Sequence, residues 1–181
     1  LYSSQHEQNI SFLQEHYSNI ALLKEKIAVA GEGFLNKPEL IKGKRILLKP
    51  NWVLHNRKPD DDICLRTNDA FILAAMEVLL EQQPASILIG DAPVQGCNWD
   101  KMLSNELLEG IKNLSEKFNI PIRIKDFRRV TFDPTLNNPV KERNPLSDYL
   151  IYDLGSDSQL EPISSDKNIF RVTNYDPDRL A

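Results

Sequence analysis

The chain has 181 residues, 41% of them hydrophobic and 27% charged, with a formal net charge of −4 at pH 7. That length suits one domain, or one domain with part of a second, and is enough to bury a real core. The acidic balance argues against a nucleic-acid partner, which calls for a basic face, and no apolar run reaches the roughly 18 to 20 residues of a membrane span.

Residues 3–30 read as one helix. Ile10, Leu13, Tyr17, Ile20, Leu23 and Ile27 recur at spacings of three and four, and Gly31 and Gly33 offer a stop. Pro38 opens a short turn over PELIKG. In RILLKPN, Ile46, Leu47 and Leu48 form a short apolar run between Gly43 and Pro50, the pattern of a strand buried on both faces. Pro50 cannot donate to a ladder and keeps Lys49 out of helical geometry, so the strand ends there. Residues 55–66 are polar and read as a long exposed loop. A helix follows from about Asp69 to Pro84, with Thr67 or Asn68 as its cap and Ile72, Ala75, Met76 and Leu79 as its buried stripe. SILIGDAP is a second strand, closed by Gly90-Asp91. Residues 100–119 keep the helical period through Leu103, Leu107, Ile111, Leu114 and Phe118. PIRIKDF is a third strand. Residues 132–149, with three prolines, read as irregular, and YLIYDLG, LEPIS and NIFRVTNY as short strands.

Strand, helix, strand, helix, strand predicts an α/β fold: an open, mainly parallel sheet with helices on both faces, Rossmann-like βαβαβ, and a small β-rich C-terminal extension. The expected organisation is a single domain, with a helical segment at 1–42, the core at 43–128 and the extension at 129–181.

Ligands in such a sheet bind beyond the carboxyl ends of the strands. Those ends carry Lys49-Pro50-Asn51, Gly90-Asp91 and Lys125-Asp126. Lys49 offers a point charge to an anion, and Asn51 both donates and accepts. Arg66 offers a fork of donors, and Thr67 and Asn68 stand at the mouth of the first crossover helix. Asp91 is the candidate catalytic residue, as a base or a metal ligand. Each has a structural alternative: surface strand ends for Lys49 and Arg66, helix caps for Thr67 and Asn68, a turn for Asp91, and a solvated strand end for Asp126. GDAPVQG lies where a phosphate loop would, but has neither the GxGxxG spacing nor a GK[ST] ending. Trp52 and Trp99 follow the first two strands as stacking walls or as packed aromatics. Residues 59–62 (PDDD) are an acidic loop that could also offer oxygens to a cation. His55 beside the rim is a lone candidate acid or base. Cys64 and Cys97 make no CxxC pair, so free thiols are expected, with no disulfide framework and no cysteine-rich zinc or iron–sulfur site. No secretory leader is evident, and the default location is cytoplasmic.

GKRILLKPNWV, a polar loop reaching RTND, a helix, and then SILIGDAPVQG together resemble the domain-of-unknown-function family numbered 362. The resemblance spans about residues 43–126 and rests on Lys49, Pro50, Asn51, Thr67 and Asp91. Many members carry cysteine clusters suited to iron–sulfur binding; this sequence has none, so the resemblance implies no such cofactor here. Members also continue into a segment like NLPKLKTH, which is not found, so the chain is expected to be a fragment of a longer one. The family is distantly similar to the nickel-dependent lactate racemase domain, a likeness of fold alone. The strand-end groups suit a small anionic or polyhydroxylated ligand, bound by an enzyme or by its N-terminal half. The alternative is a non-catalytic domain that docks a partner chain or the missing second half.

Overall fold

In a computed structural model the chain divides into two compact units, Leu1–Pro145 and Leu146–Ala181. The structure describes residues 2–58, 61, 65–132 and 140–150, with the side chains of 2–7 left aside.

The expected first helix is two helices, α1 (Tyr2–Ser18) and α2 (Ile20–Ala30). Asn19 makes the break. Its backbone N–H donates to His16 O at 3.2 Å, while its side-chain oxygen accepts from Leu22 N–H at 3.0 Å. It thus ends one helix and caps the next. The apolar period runs straight through, so periodicity could not reveal the break. A short α3 (Glu32–Leu35) and a 3-10 turn at Pro38–Leu40 follow. Gly43, at φ +68°, swings the chain into the sheet, a conformation that glycine adopts without a side-chain penalty.

The sheet has three strands, β1 (Arg45–Leu48), β2 (Ser86–Asp91) and β3 (Ile122–Asp126), in the order β1-β2-β3 and all parallel. The first crossover carries α4 (Asp69–Glu81). The second carries two helices where one was expected, α5 (Trp99–Met102) and α6 (Asn105–Phe118). Leu103 is extended between them, and Ser104 restarts the helix by accepting from Leu107 N–H at 3.0 Å. Asn119, in the left-handed region at φ 52°, closes α6.

The α/β class and the parallel βαβαβ core are as the sequence predicts. Among the described residues, helices pack on one face of the sheet, where both were expected. In this strand order, right-handed crossovers deliver both helices to the same side, and α4 and α6 pack against each other there. Ile46, Leu48, Ile87, Ile89, Ile122 and Ile124 point into that layer. Leu47 points the other way and is 60% exposed, so β1 is buried on one face and not on two. α4 is the spine of the unit. Beyond the predicted Ile72, Met76 and Leu79, it buries Ala74, Val78 and Leu80 as well, because α2 packs along its outer side.

The stretch read as irregular contains an antiparallel pair, β4 (Val130–Phe132) and β5 (Val140–Glu142). Strands of three residues are too short to show a period. The second unit is described only at its start, where a 3-10 turn spans Leu146–Asp148. The strands expected after residue 150, and Cys64, lie outside the described residues. Among the described residues, no helix is long and apolar enough to cross a membrane.

Candidate functional site

The ends of β1 and β2 and the start of α4 meet at the Asn51-Trp52 peptide. Asn51 N–H donates to the Thr67 hydroxyl at 2.9 Å, and Thr67 N–H returns a bond to Asn51 O at 3.1 Å. One residue on, Trp52 N–H donates to Asp91 Oδ2 at 2.8 Å. The other oxygen, Asp91 Oδ1, accepts from Ala92 N–H at 2.8 Å and from Lys49 Nζ at 2.9 Å. Four of the expected site residues, Lys49, Asn51, Thr67 and Asp91, are therefore bonded into one rim.

Their exposures divide the work. Asp91 is 5% exposed, whereas the Lys49 side chain is 61% exposed. The Asn51 side-chain amide has no partner among the described residues and lies at an exposed position. A hollow of about 140 Å³ opens beside them, lined by Leu48, Lys49, Pro50, Thr67, Phe71, Ile72 and Ala75. Most of its wall is apolar, with the lysine and threonine supplying polar groups.

Two expected site residues have other duties. Arg66 does not join the rim. It is buried, pairs with Trp52 across an isolated antiparallel bridge, and commits its guanidinium to the Asp69 carboxylate and the Met102 carbonyl oxygen. The fork of donors expected at the ligand is spent inside the fold. Asn68 caps α4, its side-chain oxygen accepting from Ala70 N–H at 2.9 Å.

Asp126 also differs from expectation. It is not solvated but buried against Arg128 at 2.7 Å, and Arg128 reaches on to Val94 O at 3.2 Å and Cys97 O at 3.0 Å. This pair fastens the loop after β2 to the end of β3. Asp-x-Arg at a strand end is the sequence trace of it, but two exposed charges would look the same. The same loop is no phosphate cradle: Ala92 N–H serves Asp91, Val94 N–H serves Val53 O, and Cys97 N–H serves Val94 O.

Trp52 and Trp99 are core residues, packed edge to face with ring centroids 5.7 Å apart. His55 accepts at Nδ1 from Asn98 N–H at 3.1 Å. Burial, then the charges of Arg57 and Lys101, lower its pKa, which favours the neutral ring this bond requires. Burial pushes the Cys97 thiol up, away from thiolate chemistry. Within PDDD only Asp61 is described; its carboxylate accepts from Arg57 and Lys58 N–H. No group of three or more His, Cys, Asp or Glu among the described residues is placed to hold a metal.

No family model, curated protein or solved structure matches the chain. What the rim can do chemically therefore rests on its own geometry. A general base needs a lone pair aimed at the substrate proton. Asp91 is enclosed, with three donors on its two oxygens, which suits an anchor. Lys49, tethered at its tip to that anchor and otherwise open, suits an anion.

Proposed function

We propose that the chain is a binding module for a small anionic ligand, seated in the notch between β1 and α4. The observation that carries this reading is the pairing of solvent-open Lys49 with the hollow beside it, while the neighbouring acid is fully engaged. Lys49 meets the carboxylate or phosphate, with Thr67 and Asn51 adding hydrogen bonds. Leu48, Pro50, Phe71 and Ala75 take a short apolar body. A hollow of about 140 Å³ limits that body to a few heavy atoms. Asp91 is a positioning residue: it fixes the Trp52 peptide and steers the lysine. The resemblance to the family numbered 362 rests on these same positions and supports a ligand rim here. The enzymatic reading of the rim is set aside because, among the described residues, no free acid or base faces the notch.

Calorimetric titration with inorganic phosphate and with butyrate tests the proposal. Lys49→Met is expected to weaken whichever anion binds by about tenfold, roughly 1.4 kcal/mol, the scale of one charge-assisted contact. Phe71→Ala is expected to weaken butyrate more than phosphate. Unchanged affinities in Lys49→Met, or no binding of either anion to the wild type, would overturn it.

A further inference from the structure

The second face of the sheet points to another role, independent of the anion notch. Strand register puts Leu47, Leu88 and Arg123 side by side on it, with Arg45 and Ser86 forming the row before. Leu47 is largely exposed, Leu88 is half-buried, and Arg45 and Arg123 are exposed. Neither arginine has an ion-pair partner among the described residues. Parallel sheets occur almost only with both faces covered, and the cover on such a sheet is helical.

We infer that this face docks an amphipathic helix with acidic flanks, contributed by a partner chain. Its size fits one helix. Three strands about 4.8 Å apart span ~10 Å between their outer axes, the diameter of a single helix with its side chains. Strands of about five residues run some 16 Å, which a helix of about eleven residues matches. Its charge chooses the helix. Leu47 and Leu88 form an apolar centre, and Arg45 and Arg123 stand on opposite outer strands. No acidic residue of β1–β3 lies on this face, because register turns Asp91 and Asp126 to the other one. A helix with a leucine stripe and glutamates on both sides satisfies both arginines. A lysine-flanked helix of the same stripe is repelled.

The probes are two synthetic helices of about fourteen residues with the same leucine stripe, one flanked by glutamate and one by lysine. Binding to the full chain is read by fluorescence anisotropy. The glutamate helix is expected to bind at least tenfold more tightly, and the double variant Arg45→Glu, Arg123→Glu to reverse the preference with no change in melting temperature. In Leu47→Cys, alkylation of the introduced thiol, followed by peptide mass, is expected to be fast in the chain alone and slowed by the glutamate helix. Equal binding of both helices, or no effect of the charge reversal, overturns the inference. So does a thiol already shielded in the chain alone: shielding independent of protein concentration means the chain covers itself, and shielding that grows with concentration means a second copy does.

Discussion

Asp91 holds more than its own place. Replacing it with alanine leaves Trp52 N–H and Ala92 N–H without their acceptors and Lys49 without its counter-charge. The buried Trp52 N–H stranded in this way costs about 1–3 kcal/mol, and the part-buried Ala92 N–H, at an exposed residue, adds less. Asp91→Ala is therefore expected to lower stability by roughly 2–4 kcal/mol in urea unfolding, and Asp91→Asn by less, since its carbonyl oxygen still accepts one N–H. A loss below about 0.5 kcal/mol for alanine would refute the anchoring role. Gly90, just before it, is fixed by crowding. A β-carbon there would strike the Lys125 carbonyl oxygen and the Phe127 ring. That Lys49, Asn51, Thr67 and Asp91 meet at one edge was legible in the sequence, because strand-end geometry follows from element order alone. Arg66 and Asp126 were not. Whether a charged side chain faces water or the interior depends on partners such as Met102 and Arg128, which only the folded chain brings near.

Ser104 shows how an element boundary can serve two masters. Its hydroxyl accepts from Leu107 N–H to start α6 and donates to Asp69 Oδ2 at 2.8 Å, the carboxylate that also holds Arg66. Ser104→Ala removes both bonds and is expected to cost about 2 kcal/mol, against about 1 kcal/mol for Asn68→Ala, which loses only the α4 cap. Thermal and urea unfolding of the two variants side by side measure the difference; equal losses would show that Ser104 acts as a cap alone. From β1 to β3, element type and order were readable from periodicity; the short β4 and β5 were not. The breaks at Asn19 and Leu103-Ser104 were not, because the apolar spacing continues across both while a polar side chain captures the backbone.

Across the unit, α2, α4 and α6 are tied by one shared acid. Glu77 pairs with Lys24 at 3.3 Å and with Lys117 at 2.6 Å, and Lys24 also reaches Glu81 at 2.9 Å. The hydrogen bond from Lys117, aided by Lys24 and opposed by burial, lowers the Glu77 pKa below its ordinary 4.5. Its stabilisation is present above that value and is lost as pH falls through the lower, folded one. The hydrogen bond to Glu81 leads in raising Lys24 above 10.5, so that contribution is present below 10.5 and is lost as pH climbs through the folded value. His55, lowered from 6.5, favours the folded state fully above 6.5 and progressively less below it, because the unfolded chain then binds the extra proton. Urea midpoints are thus expected to hold steady between about pH 7 and 9 and to decline in two stages on acidification. His55→Gln should remove the first stage and Glu77→Gln should shrink the second, to which Asp61, lowered by the N–H groups of Arg57 and Lys58, also contributes; a wild-type midpoint that stays flat down to about pH 3 would contradict both assignments. The Trp52–Arg66 bridge bears on a different matter, the history open to the gene. It pinches shut the excursion between β1 and α4 at its neck. Lengthening a closed excursion costs little, about 0.6 kcal/mol per doubling, so inserted residues there are expected to leave the strand and helix on either side in their seats.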